Sequence, residues 1–228
     1  EGSQVVAEAM LGKLFGPAAV EAKAEFVEST KLVMQGSKPE GVAAALRGMA
    51  GRVDFTTKLA AIDVPTVAAV QGLCIAAGLE VALSCDLIWA AAGAQLGLVE
   101  GVIGATPFGG GTQRLVARAG AGRAAEAVLT ARPYPAETML EWGVVTRVLP
   151  AADLLAMARA FGGRLAAGPT LAHAATKRMI RLAVDEGVET ADRALPEAGA
   201  KVMASDDLQS GARALIEKGP GNATFEGR

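Results

Sequence analysis

The sequence predicts an α/β domain with parallel strand pairing, preceded by a helical segment and followed by a helical C-terminal region. Three observations carry this prediction. Short apolar segments alternate with helical ones between residues 66 and 148, residues 1–60 contain nothing that reads as a strand, and the chain from residue 151 onward is helical throughout. Strands that alternate with helices are typical of parallel sheets.

Composition limits the function. The chain has 228 residues, 51% of them hydrophobic, and a formal net charge of −2, which suits one domain with an appendage and gives no electrostatic support for nucleic-acid binding. It has no apolar run of about 18 residues and no signal-peptide pattern at residues 1–10. We therefore expect no membrane span and a cytoplasmic location.

Metal and disulfide chemistry also find little support. One histidine and two cysteines exclude a zinc site built from such residues. Cys74 and Cys85 lie among apolar residues, where free buried thiols are the simplest interpretation and a disulfide is the alternative. We expect no metal.

The N-terminal helices are predicted from apolar residues at helical spacing, interrupted by Gly and Pro, at 5–15, 18–34 and 39–49. Short β-branched or apolar runs predict the strands, at 66–70, 87–91, 95–98 and 144–148. A turn of small residues is expected at 73–77. The helices that alternate with the strands are predicted at 78–84, 112–118, 122–130 and 135–142. The C-terminal helices are predicted at 151–167, 170–186 and 188–218.

A carboxylate in an apolar stretch is the first candidate for chemistry. Residues 71–86 read QGLCIAAGLEVALSCD, and Glu80 lies between Leu79 and Val81. Burying an unpaired charge there costs several kcal/mol, so a glutamate at this position calls for a functional explanation.

The helix that begins near Gly78 has unpaired N–H groups at its start, and Ala76 and Ala77 before it are small. A ligand oxygen could approach these donors as in an oxyanion hole. The alternative is a helix that packs tightly on a sheet through small residues. Glu100, a second acid in an apolar run, favours a site, because two carboxylates in one dry pocket suit acid and base chemistry.

Five segments carry a resemblance to a known family: PTVAAVQG, AAGLEVALSCDLIWAA, AQLGLVEGVIGATPFGGGTQRL, EWGVVTRVLPAADLL and AAGPTLAHAATKRMI, at 65–72, 76–91, 94–115, 141–155 and 166–180. In these segments, from about residue 64 to the C-terminus, the chain resembles the crotonase (enoyl-CoA hydratase/isomerase) family. The resemblance implies a spiral of ββα turns, a helical C-terminal region that mediates trimer formation, and acyl-CoA thioester substrates. Coenzyme A then enters as part of the substrate, with no separate cofactor.

The resemblance also assigns roles to residues. Glu80 and Glu100 fall on the catalytic acid/base positions. Ala77 falls on the second oxyanion N–H donor, where the family usually has glycine. The residues implied to line the acyl pocket are Ala76, Gly78, Pro107, Phe108, Gly109 and Gly110.

Residues 1–63 depart from the family pattern. No loop of the FSAGAD type, which supplies the first oxyanion donor in the family, is found there, and the segment resembles the cap helices of an α/β-hydrolase without a GxSxG elbow or a triad. The chain therefore resembles a chimera, with a cap-like segment at 1–63, a truncated crotonase-like core at 64–150 and a helical oligomerisation region at 151–228.

The sequence is compatible with three functions. The first is an enoyl-CoA hydratase or isomerase with weakened activity, the second an ester or thioester hydrolase on the same scaffold, and the third an inactive chimeric protein. In each case a homo-oligomer, trimer or hexamer, is expected. His173 is expected to serve packing or the surface, and Lys177 and Arg178 to lie on an exposed helix face.

Overall fold

A computed structural model of the chain describes residues 24–36 and 55–227. The chain divides into two compact units, residues 1–54 and 55–228. In the first unit, helix α1 (Ala24–Gln35) coincides with most of the predicted helix at 18–34. The other predicted N-terminal helices and most of the hydrolase-like segment lie outside the described residues.

The strands of the second unit form two small sheets. The strands are β1 (Val67–Val70), β2 (Leu73–Ile75), β3 (Leu87–Ala91), β4 (Gln95–Gly97), β5 (Tyr134–Pro135) and β6 (Arg147–Leu149). One sheet has the order β1-β3-β6, with both pairs parallel. The other has the order β2-β4-β5, in which β2–β4 is parallel and β4–β5 antiparallel. The predicted parallel pairing is confirmed, and β5 was not predicted.

Helices separate the strands and form the C-terminal region. They are α2 (Phe55–Ala60), α3 (Ala77–Leu83), α4 (Gly111–Ala119), α5 (Ala121–Thr130), α6 (Ala136–Glu141), α7 (Ala151–Ala166), α8 (Thr170–Asp185), α9 (Val188–Met203) and α10 (Asp206–Lys218), with a 3₁₀ helix at Glu100–Ile103. None of these described helices is long and apolar enough to cross a membrane.

The core lies between the sheets and the helices packed on them. Its largest fully buried side chains are Trp89, Leu79, Ile88, Leu96, Leu98, Leu115, Met139, Val144 and Val145. Helix α7 joins this core through Phe161, whose ring centroid lies 4.9 Å from that of Trp89. The buried strand β3 is thus covered by α7, which explains its unbroken apolar sequence.

Three local predictions were wrong. The turn expected at 73–77 contains strand β2, because its backbone pairs with β4. The helix expected at 188–218 is two helices, since the Ser205 hydroxyl accepts the Leu208 N–H (3.2 Å) and starts α10 there. The strand expected at 144–148 begins only at Arg147, because the N–H groups of residues 144 and 145 both donate to the Met139 carbonyl, at 2.9 and 3.0 Å.

Lys177 is buried, contrary to the prediction that it lies on an exposed face. Its Nζ lies 2.7 Å from Asp86 Oδ2 and donates to the Val64 carbonyl at 3.0 Å. The same Asp86 oxygen accepts the N–H and the hydroxyl of Thr66, at 2.6 and 2.8 Å. Helix α8 is therefore tied to the entrance of strands β1 and β3 by an ion pair that the apolar periodicity of the helix did not indicate.

Candidate active site

The start of helix α3 has an unusual backbone conformation. Ala76, the residue before it, has φ 50° and ψ −128°, a left-handed region that side chains rarely adopt. Its N–H donates to the Gly97 carbonyl of β4 (2.9 Å), and its own carbonyl accepts the Glu80 N–H (3.0 Å). These bonds hold the turn. The N–H groups of Ala77 and Gly78 have no intrahelical acceptor, because they belong to the first turn of the helix.

Ala77 and Gly78 are both exposed at the start of the helix. A Cβ at Gly78 would meet no atom within 4 Å, which shows open space beside the start of the helix. Exposed backbone donors next to open space can stabilise an oxygen on which negative charge develops.

Glu80 follows one turn later on α3 and is buried, with 6% of its surface exposed. Its Oε1 accepts two backbone hydrogen bonds, from the N–H of Gly109 at 2.7 Å and the N–H of Gly111 at 3.0 Å. For Oε2, no hydrogen-bond partner is found in the part of the chain that the structure describes. One oxygen is thus held by the protein while the other is left for a ligand or water.

The two glycines that donate to Glu80 lie very close to its side chain. A Cβ at Gly109 would lie 2.8 Å from Glu80 Oε2, and a Cβ at Gly111 would lie 2.9 Å from both Glu80 Cγ and Leu98 Cδ2. A side chain at either position would have to push the Glu80 carboxylate away from the two N–H donors, so glycine is what allows the backbone to approach it this closely. We call residues 109–111 the glycine turn.

Glu100 opens the 3₁₀ helix that follows β4, and it meets a different environment. Its Oε2 is buried and has no hydrogen-bond partner among the described residues. Burial raises the pKa of the Glu100 carboxyl, the nearby negative charge of Glu80 raises it further, and the N–H of Glu100 itself partly offsets this. Glu100 therefore keeps its proton to a higher pH than an ordinary carboxyl.

The two carboxyl groups lie close enough for the charge of Glu80 to act on Glu100. One is held by two N–H donors, and the other has a buried Oε2 without a hydrogen-bond partner among the described residues. Two interacting carboxyl groups in unlike environments can serve as acid and base on one substrate. Across residues 24–36 and 55–227, no group of His, Cys, Asp and Glu side chains could hold a metal ion.

The remaining predicted residues surround this pair unevenly. Pro107 is buried, Phe108 is 84% exposed, and Gly110 precedes α4 in a left-handed conformation, with φ 78°. Two apolar grooves of about 460 and 490 Å³ lie elsewhere, the first beside β1 and α7 and the second between α8, α9 and α10, and neither is lined by these residues. The lining role of these residues stays a prediction.

Comparison with known proteins identifies the family. The family model described as enoyl-CoA hydratase/isomerase matches residues 43–228. The chain belongs to the enoyl-CoA hydratase/isomerase family. The crotonase-like α/β fold, with small sheets and a helical C-terminal region, is thereby confirmed.

Individual family members show how much of the chain is shared. It is 36% identical over 165 residues to a probable enoyl-CoA hydratase of Mycobacterium bovis, covering 71% of this chain and 63% of that protein. It is 34% identical over 186 residues to a carnitinyl-CoA dehydratase of Salmonella heidelberg, covering 77% and 71%. The crystal structure of an enoyl-CoA hydratase from Bacillus anthracis superposes with a TM-score of 0.74 at 28% identity, covering 85% and 73%. The chain spans less than two thirds of the length of the Mycobacterium relative.

The family match begins at residue 43, before the boundary near 64 that the motifs predicted. Sequence reasoning found both glutamates but missed Gly111 as a donor to Glu80. The signal that could have found it is the run of three glycines at 109–111, which allows a close backbone approach.

Proposed function

We propose that this chain acts on acyl-CoA thioesters, with Glu80 and Glu100 as the acid/base pair of an enoyl-CoA hydratase. The observation that supports it is the unlike environment of the two carboxyl groups. The raised pKa of Glu100 suits a proton donor, and the free Oε2 of Glu80 suits a proton acceptor for water. The names of the relatives support the substrate class.

In the proposed reaction, water adds across the double bond conjugated to the thioester. Glu80 takes a proton from water as the oxygen bonds to the β carbon, and Glu100 gives its proton to the α carbon. Exchange with solvent then returns the proton from Glu80 to Glu100, so the enzyme ends as it began. If only one carboxyl group handles protons productively, the same site shifts the double bond and acts as an isomerase.

The thioester oxygen gains negative charge in this reaction, and the Ala77 N–H is the proposed donor to it. Losing one of two oxyanion donors typically costs about 10²–10³ in rate. Since residues 1–63 contain no recognisable FSAGAD-type loop, we expect turnover below that of a hydratase with two donors. The Ala77 methyl group, where the family usually has glycine, adds to this expectation.

An incubation with crotonyl-CoA tests the proposal. We expect loss of the conjugated-thioester absorbance without release of free thiol. Glu80→Gln and Glu100→Gln should each lower this rate at least about 100-fold, whereas Glu141→Gln, an exposed glutamate on α6, should leave it unchanged. Full activity in either active-site variant would contradict the assigned roles.

The same assay separates the other candidate functions. Release of free thiol would indicate a thioester hydrolase on the crotonase-like scaffold, in which water attacks the carbonyl carbon. No change in either signal would indicate an inactive chimeric protein, in which the residues before the family match at 43 come from a hydrolase cap.

We further propose that the chain forms a trimer or a hexamer through its helical C-terminal region. Support comes from large apolar side chains that this region exposes, among them Val188, Met203 and Ile216, with 66%, 70% and 85% of their surface exposed. Exposed apolar residues in such number are typical of an interaction surface.

A further inference from the structure

We propose that Thr56 and Arg114 are positioning residues for Glu80, because together they fix the glycine turn that orients its carboxylate. This inference rests on the proposed function, in which Glu80 is catalytic. It concerns two side chains outside the predicted site, one of them 53 residues before the turn that it contacts.

The contact is made at the Gly109 carbonyl oxygen. The Thr56 hydroxyl donates to it at 2.9 Å and Arg114 Nη1 donates to it at 2.8 Å. The donors come from two helices, Thr56 from α2 and Arg114 from α4. Thr56 is 7% exposed, so its hydroxyl approaches the carbonyl where water has little access.

This carbonyl lies between the two groups that hold Glu80. It belongs to the peptide that joins residues 109 and 110, and the peptides on either side carry the N–H groups of Gly109 and Gly111 that donate to Glu80 Oε1. Because each peptide group is planar, fixing the central one restricts the rotations that would turn both donors away.

The glycine turn cannot obtain this rigidity from its own side chains. Glycine has the greatest backbone freedom of any residue, and a Cβ at Gly109 or Gly111 would collide with Glu80. The close approach therefore requires glycines, and the glycines require support from outside the turn. Thr56 and Arg114 are the side chains that provide it.

The position of α2 fits the same role. This helix contacts α3, which carries Glu80, so it supports the carboxylate's own helix and the turn that binds its oxygen. A small displacement of a catalytic group can lower the rate strongly while substrate binding is unaffected.

The test compares Thr56→Val, which removes the hydroxyl at nearly constant volume, with Thr56→Ser, which keeps it. We expect Thr56→Val to lower kcat for crotonyl-CoA hydration about 3- to 10-fold, the effect of one neutral hydrogen bond, with KM unchanged. Thr56→Ser should restore most of the loss. Thr146→Val is the matched control, because its hydroxyl also donates to a distant backbone carbonyl, that of Ile88 at 3.0 Å.

Amide hydrogen exchange provides a readout that does not depend on activity. In Thr56→Val, the amides of Gly109 and Gly111 should exchange faster than in the wild-type protein, while those of β3 and α7 stay unchanged. Arg114→Met should increase exchange at the same two amides, which keeps the test available if one variant fails to fold.

The outcomes separate this inference from the proposed function. If Glu80→Gln is inactive but Thr56→Val and Arg114→Met change neither kcat nor exchange at the glycine turn, the positioning role is wrong and the hydratase site stands. Faster exchange at the turn without any effect of Glu80→Gln on turnover would support the contact but overturn Glu80 as catalytic. A loss in Thr56→Val matched by Thr146→Val would show a general effect on stability and contradict the inference.

Discussion

At the scale of single residues, burial and a neighbouring charge determine how Glu100 holds its proton. Burial is the larger cause of its raised pKa, and the negative charge of Glu80 adds to it. An acid with a raised pKa loses its proton at a higher pH than usual, so the Glu100 carboxyl stays protonated at pH values where an exposed carboxyl is already ionised.

We predict that Glu80→Gln lowers the pKa of Glu100, because it removes the like charge that disfavours ionisation. A titration of the Glu100 side-chain carboxyl by ¹³C NMR would measure this, and its midpoint should move to lower pH in the variant. The Glu141→Gln control should leave the midpoint in place. A midpoint that is unchanged or moves to higher pH in Glu80→Gln would show that the negative charge of Glu80 does not raise the pKa of Glu100.

The two glutamates of the candidate site were predictable because of their surroundings in sequence. A carboxylate among apolar neighbours, as at Glu80, is costly to bury and stands out. The groups that hold it were not predictable in the same way, since Gly109 and Gly111 act through backbone N–H groups that every residue type carries. Thr56 was harder still, because only the folded chain brings it to a carbonyl 53 residues away.

At the scale of elements, the partly buried ion pair of Lys177 and Asp86 links helix α8 to the sheet. Lys177 has an exposed side-chain fraction of 8% and Asp86 of 30%. Two further donors from Thr66 satisfy the same Asp86 oxygen. Removing one member of such a pair leaves the other charge poorly compensated.

We predict that Lys177→Met lowers the free energy of unfolding by about 3 kcal/mol, measured by urea denaturation at neutral pH. Lys201→Met, at an exposed position of α9, should change it by less than about 0.5 kcal/mol. Equal effects in both variants would mean that the Lys177–Asp86 pair contributes no more to the free energy of unfolding than a surface lysine does.

The elements were predicted best where one physical signal dominated. The continuous apolar run at Leu87–Ala91 predicted strand β3 with its observed bounds. Strand β2 was missed because it has only three residues. Leu73 is exposed and Cys74 is buried, but an alternation over so few residues is too short to predict a strand. At the break between α9 and α10, the Ser205 hydroxyl donates to the Val202 carbonyl and accepts the Leu208 N–H, and the helical periodicity on either side conceals this cap.

At the scale of the whole molecule, the alternation of strands and helices was enough to predict an α/β fold, and the family motifs were enough to predict its crotonase-like form. The antiparallel strand β5 escaped prediction because it consists of Tyr134 and Pro135 alone. Neither signal bears on assembly, because apolar residues at helical spacing look the same whether another element or another subunit covers them.

The exposed apolar residues of the C-terminal helices provide a test of assembly. We predict that the protein sediments as a trimer or a larger multiple of three in analytical ultracentrifugation, and that Met203→Lys combined with Ile216→Lys shifts it toward the monomer. These positions are 70% and 85% exposed on α9 and at the end of α10, and a lysine charge is costly to bury in an interface. Leu129→Lys is the matched control, because Leu129 is 83% exposed but lies on α5. Dissociation by Leu129→Lys alone would place the interface on α5 instead, and a monomeric wild-type protein would contradict the proposed assembly.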